Sequence, residues 1–295
     1  MFGPNVTSLI NANIDFHHRE PKFFNIMNSI KILFNEKFKL NNEFEILIQT
    51  GSGSLAIETV VNSYKGKFNL VGIDGNFKSR WCNMLNSYNK TDTKGKQFHV
   101  QYETSKSYHN IEFDNSAFFV DGVSSFPYFS IPQNAKIFVT VSSKILGASP
   151  VLGIILVHKS IIDDFIDENV ESYLNIKRLI KFNNYNQTPT TPSLSLYDDL
   201  LKKLENFDLS TSINNINIVS NMIVSHFGKD AIIGNHTGPV ITLNPDVKIP
   251  FEIMTKFQLY GLNTINKKSS IQIFTYSEDL ILYEKLLTDL NKFKI

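Results

Sequence analysis

Cysteine is almost absent from this chain: Cys82 is the only one. A single thiol excludes an internal disulfide framework and a cysteine-rich zinc site. Charge is scarce as well. Charged residues make up 19% of the sequence, and 29 Lys and Arg against 28 Asp and Glu leave a net charge of +1. Such a balance gives no strong field to draw in nucleic acid or an anionic membrane, so neither is an expected partner. Long apolar runs are also missing. The stretch from Ile145 to Val157 is uncharged, but Gly147, Ser149, Pro150 and Gly153 interrupt it, and it is too short to span a bilayer. Met1-Phe2-Gly3-Pro4 lacks the basic-then-apolar pattern of a secretory signal. The expectation is a cytoplasmic protein. No internal repeat is visible.

What the chain does have is apolar and aromatic material. Hydrophobic residues reach 42% of 295 residues, with 24 Phe and 11 Tyr, which excludes disorder as the main state and predicts an aromatic-rich core. Phe23, Phe24, Met27, Ile30 and Leu33 follow the spacing of one helix face within Pro21 to Phe38. Short apolar runs at Phe44 to Ile48, Phe68 to Ile73, Ala117 to Val120, Ile137 to Val141 and Gly153 to Val157 read as buried strands. Helix patterns over Leu55 to Tyr64 and Arg80 to Tyr88 alternate with them. Near-continuous apolar strands interleaved with helices predict an α/β fold with a mostly parallel sheet covered on both faces. Prolines and threonines from Tyr185 to Ser193 then impose an extended connector. Beyond it come a helix over Leu194 to Phe207, strands near Pro239 to Leu243 and Ile271 to Phe274, and helices near Phe251 to Leu259 and Leu280 to Lys292. The expected organisation is a large domain over residues 1–180 and a smaller α+β domain over 181–295. Residues 1–14 are expected to pack on the small domain.

Four features fall at strand ends. Gly51-Ser52-Gly53-Ser54 lies between a strand and a helix, where small residues, helix N–H groups and hydroxyls suit an anion. An ordinary glycine-rich turn has the same composition. Phe77 follows the next strand and suits stacking on a planar ring, or a place in the rim of the core. Asp121 ends the strand Ala117 to Val120, at the strand edge where ligands bind in parallel sheets. It suits a protonated ring nitrogen or a helix cap. Lys144 follows Ile137 to Val141 and points at the same crevice. Desolvated there, it would titrate low enough to form an imine; on the surface it would be inert. An anion cradle, a ring partner, an acidic acceptor and an amine are together what pyridoxal 5′-phosphate requires.

The sequence resembles the class V aminotransferases of pyridoxal-phosphate fold type I. It is most similar to the branches that hold 2-aminoethylphosphonate–pyruvate and alanine–glyoxylate (serine–pyruvate) transaminases. The matching segments are FGPNVT at residues 2–7, HHREPKFF at 17–24, TGSGSLAIE at 50–58, GNFKSRW at 75–81, YETS at 102–105, VDGVSSF at 120–126, VSSKILGASPVLG at 141–153 and YNQTPTTPS at 185–193. The resemblance implies the fold-type I transferase architecture. It implies that Lys144 carries the cofactor as a Schiff base and moves the substrate Cα proton, while Asp121 pairs with the ring nitrogen. Val123 would pack on the ring face opposite Phe77. Ser52, Gly53, Ser54 and Ser143 would hold the phosphate, with Thr104 beside the ring hydroxyl. Tyr185 and Thr188 would reach the phosphate of a neighbouring subunit, making a homodimer with shared sites. Gly3 and position 272 would face the substrate.

Departures accompany the match. The segment from Trp81 to Glu103 is too brief for the strand–helix unit expected there, so one strand of the sheet is expected to be missing. Gln272 stands where the family carries an arginine that clamps the substrate carboxylate, and no Arg follows Arg178. Lys267 and Lys268 are expected to be solvated turn residues. His17 and His18 are expected to be structural, no metal is expected, and Cys82 is expected to be buried. The implied activity is transfer of an amino group from a small primary amine or amino acid, such as 2-aminoethylphosphonate, alanine or serine, to a 2-oxo acid such as pyruvate or glyoxylate. A lyase or decarboxylase acting on a substrate without the carboxylate clamp stays open, as does a non-catalytic dimer on a degenerate fold.

Overall fold

Helix α1 (Pro21–Lys37) begins with proline at its first position, where the missing N–H has no partner to lose. A computed structural model describes residues 16–167, 172–261 and 270–292 of the chain. The expectations for residues 1–14 (Gly3 among them), Lys267 and Lys268 lie outside the described residues. The buried face of α1 is Phe23, Ile26, Met27, Ile30 and Phe34. Phe24 and Leu33, expected on that face, are only partly buried at its margin.

The order continues as β1 (Phe44–Thr50), α2 (Gly53–Ser63), β2 (Phe68–Val71), α3 (Asn76–Ser87) and β3 (Lys96–Val100). A short ribbon, β4 (Tyr102–Glu103) and β5 (Tyr108–His109), precedes β6 (Phe119–Asp121), β7 (Ile137–Val141) and β8 (Leu152–His158). Next come α4 (Ile176–Asn183), α5 (Leu194–Asn206) and α6 (Leu209–Phe227). The last elements are β9 (Ile232–Ile233), β10 (Val240–Leu243), α7 (Phe251–Lys256), β11 (Gln272–Phe274) and α8 (Leu280–Lys292).

The main sheet has six strands in the order β1-β8-β7-β6-β3-β2. β2, β3, β6 and β7 pair in parallel, and β8 runs antiparallel to both of its neighbours, β7 and β1. In this mostly parallel sheet β8 is the strand that runs against the others. Only ten residues separate it from β7, and a parallel return needs about a dozen or more. The segment after α3 holds only β3 before β4. α1 and α5 cover one face of the sheet, with Phe23, Phe34, Phe126, Phe138 and Tyr197 in their core. α2, α3 and α4 cover the other over Ile57, Val60, Trp81, Phe98 and Phe119. The Phe98 and Phe119 rings stack with centroids 4.1 Å apart. A third core joins α6, α7 and α8 to the antiparallel sheet β11-β10-β9.

The β4–β5 ribbon forms the seam between the two sheets. Ser107 Oγ donates to the Val240 carbonyl at 2.9 Å and accepts from the Thr242 N–H at 2.6 Å. Tyr102 OH donates to the same Val240 carbonyl at 2.6 Å. This seam fixes the C-terminal sheet against the strand edge at which the parallel strands end.

Candidate active site

That edge opens into a cavity of about 300 Å³ lined by Ser52, Gly53, Ser54, Phe77, Trp81, Val100, Tyr102, Asp121, Val123, Ser124, Val141, Ser143, Lys144, Pro150 and Val151. Its volume is at the lower end of the ligand-pocket range of about 300–1,000 Å³. Seven of the residues expected to bind a cofactor through the ring or phosphate, Ser52, Gly53, Ser54, Phe77, Val123, Ser143 and Asp121, line it together with Lys144. They come from the ends of β1, β2, β6 and β7: β2, β6 and β7 belong to the parallel run, and β1 points the same way because β8, antiparallel to both, lies between it and β7.

The anion-binding turn is built by α2. Ser52 is its N-cap, and its hydroxyl accepts from the Leu55 N–H at 3.3 Å. Gly53 lets the helix end approach the sheet: a Cβ there would lie 2.6 Å from Val123 Cγ2 and 3.0 Å from Val141 Cγ1. Ser54 Oγ accepts from Arg80 Nη1 at 3.3 Å. Arg80, to which no role had been assigned, thus brings a guanidinium beside the turn.

Asp121 is 4% exposed. Its Oδ1 accepts from the Val123 N–H at 3.0 Å and its Oδ2 from the Trp81 indole N–H at 2.7 Å. Burial pushes its carboxyl up to about 6; those two hydrogen bonds and the Lys144 charge hold it back, while Glu103 adds to the rise. Lys144 stands in the left-handed region, with φ at 62°, between β7 and the turn that returns to β8. Burial brings its ammonium down to about 8, against the attraction of Asp121. Its Nζ lies 5.0 Å from the centroid of the Phe274 ring on β11. The result is a partly buried amine that is partly neutral near physiological pH, and a buried acid that is mostly ionised there.

Phe77 is held by Glu103, a residue of the YETS segment whose sequence context carries no sign of this role. Glu103 is wholly buried, and its Oε2 accepts from the Phe77 and Lys78 N–H groups at 3.1 and 3.0 Å. It caps α3 and occupies the space a side chain at Gly75 would need. α3 also corrects the expectation for Cys82, which is exposed. Trp81 and Leu85, one turn apart, take the buried face of the helix, and Cys82 falls beside it.

The remaining expected residues are elsewhere. Thr104 lies in the seam, where its carbonyl accepts from Thr242 Oγ1 at 2.6 Å and from Gln272 Nε2 at 3.2 Å. Gln272 is therefore buried against the seam rather than among the cavity-lining residues. Thr188 lines a separate groove with Thr50, Leu55 and Tyr197, and Tyr185 is 70% exposed. No helix among the described residues is long and apolar enough to cross a membrane.

No protein-family model and no curated protein matches the sequence. Solved structures do match. An aspartate aminotransferase of subgroup IV from Thermus thermophilus shares 17% identity at a TM-score of 0.81, covering 98% of this chain and 97% of that one. An alanine–glyoxylate aminotransferase from Nostoc sp. gives 16% and 0.80 over 100% and 94%. A phosphoserine aminotransferase from Cytophaga hutchinsonii ATCC 33406 gives 16% and 0.79 over 94% and 91%. The chain has the fold of these aminotransferases along nearly its whole length.

Proposed function

We propose that the protein is a cytoplasmic aminotransferase that uses pyridoxal 5′-phosphate and works as a homodimer. One observation carries this reading. Asp121, buried, and Lys144, partly buried, stand at the ends of neighbouring strands in one cavity, beside a serine–glycine helix N-terminus. A fold without a cofactor has no physical need for that pair. The residues fit the group: Ser52, Gly53, Ser54 and Ser143 for the phosphate, Phe77 and Val123 for the ring faces, Asp121 for the ring nitrogen and Lys144 for the carbonyl. When bound, the cofactor supplies an electrophilic carbonyl and an electron sink.

The chain's own groups do the rest. Lys144 Nζ, partly neutral near physiological pH because desolvation lowers its pKa to about 8, is the base that takes the proton from the substrate Cα. Asp121 balances positive charge at the ring nitrogen. Trp81, Val100 and Val141 keep the inner wall apolar, which strengthens that pairing. Tyr185, exposed and away from its own cavity, is available to the phosphate of a partner subunit, whereas Thr188 is buried with its hydroxyl donated to the Thr190 carbonyl at 2.8 Å. The donor is a small primary amine or amino acid and the acceptor a 2-oxo acid. The test is incubation with the cofactor, pyruvate or glyoxylate, and a panel of 2-aminoethylphosphonate, alanine, serine and an amino sugar. Formation of alanine or glycine from the oxo acid supports the proposal; its absence for every donor counts against it.

Gln272 favours a second reading. Its amide is bonded to the Thr104 carbonyl and offers no guanidinium fork to a carboxylate. A donor recognised by another group, or a lyase outcome, follows from that change. Carbon dioxide or ammonia released without amino transfer would select the lyase.

A further inference from the structure

The chain contains a single tryptophan, Trp81, and it is 2% exposed. Its indole N–H is directed at Asp121 Oδ2 across 40 residues of sequence, at 2.7 Å. The other oxygen of the carboxylate takes the Val123 N–H. Each oxygen thus has one protein donor, and a carboxylate can accept about four hydrogen bonds in all. Capacity remains for a ring nitrogen.

We propose that Trp81 is a positioning residue for the cofactor: its indole N–H aims the Asp121 carboxylate and keeps it ionised for a protonated ring nitrogen. This rests on the cofactor reading above. Trp81 lies one turn after Phe77 on α3, with ring centroids 6.5 Å apart. One helix, anchored at its N-terminus by Glu103, therefore sets both the residue beside the ring face and the holder of the acid at the ring edge. A phenylalanine at position 81 would fill the same space but donate nothing.

The charges facing Asp121 are Glu103, which works against ionisation, and Lys144, which favours it. The Arg80 guanidinium sits 6.0 Å from the indole ring. With burial pushing the acid up to about 6, the two N–H donors hold it on the ionised side of neutrality. Loss of one such donor to a charged group raises the titration by about one to two pH units.

Because Trp81 is the sole tryptophan, its fluorescence reads the contact without a label. The expected result for the protein without cofactor is a step in emission with a midpoint near 6, absent in Asp121→Asn. Flat emission in the wild type between about pH 5 and 8, or a step that survives Asp121→Asn, overturns the proposal. Trp81→Phe is expected to bind pyridoxal 5′-phosphate about two- to tenfold more weakly at pH 7 and to approach the wild type near about pH 9, where the acid is mostly ionised in both proteins. Lys144 titrates in both and cancels in the ratio. An unchanged affinity, or a loss that is the same at every pH, marks a merely structural tryptophan and overturns the role. Should Trp81→Phe fail to fold, the fluorescence titration alone decides. A wild type that shows the step but binds no cofactor overturns the cofactor reading while leaving the indole–carboxylate contact in place.

Discussion

At the scale of single residues, the site places ionisable groups where ionisation is costly. Lys144 has a folded-state pKa of about 8 against an ordinary 10.5. A lowered lysine pKa means that the unfolded chain binds the proton more tightly. The cost to stability is complete below about 8 and fades as pH rises towards 10.5. Lys144→Met is therefore expected to stabilise the cofactor-free protein by about 2 kcal/mol at pH 7. Urea denaturation at pH 7 and pH 10 should show that advantage shrinking; an equal difference at both would refute it. Part of this was legible in the sequence. Asp121 ends an apolar strand and Lys144 follows another after Ser142 and Ser143, so the strand ends dictate their position. Trp81, Glu103 and Phe274 were not legible as site residues. Their partners lie 40, about 26 and over a hundred residues away, and only the tertiary fold joins them.

Elements carry the next part of the account. α3 was read as beginning at Arg80, but it begins at Asn76 because Glu103 supplies acceptors for its first free N–H groups. Glu103→Ala leaves those groups buried without a partner and is expected to cost about 2–3 kcal/mol, with weaker cofactor binding because Phe77 is no longer fixed. Chemical denaturation and a binding titration check both; a change under about 0.5 kcal/mol would contradict the capping role. β3 and α6 went unread for a shared reason. Lys96–Val100 mixes charged and apolar residues, and Leu209–Phe227 is rich in Asn and Ser, so neither shows a clear period. Ile216, Val219 and Ile223 nevertheless bury one face of α6. Tertiary packing supplied what local propensity did not.

For the whole molecule, the account requires two copies. The cavity has a serine–glycine turn for an anion, while Tyr185 and Thr188, matched to phosphate-binding residues, lie away from it. Sedimentation equilibrium is expected to give a dimer, and Tyr185→Ala is expected to weaken cofactor binding several-fold without lowering the melting temperature of the cofactor-free protein. A monomer that binds cofactor at full strength would contradict this. The mostly parallel sheet and its two-face covering were foreseen in outline from the apolar strands. The reversal of β8 was not, because it depends on a loop too short for a crossover rather than on composition.

The central claim is that Lys144 holds pyridoxal 5′-phosphate opposite Asp121. The visible absorbance of purified protein titrated with the cofactor tests it most directly. The account predicts a yellow protein-bound band that saturates, is absent in Lys144→Ala, bleaches with an amine donor and returns with a 2-oxo acid. The same band in Lys144→Ala, or none in the folded wild type, would contradict it.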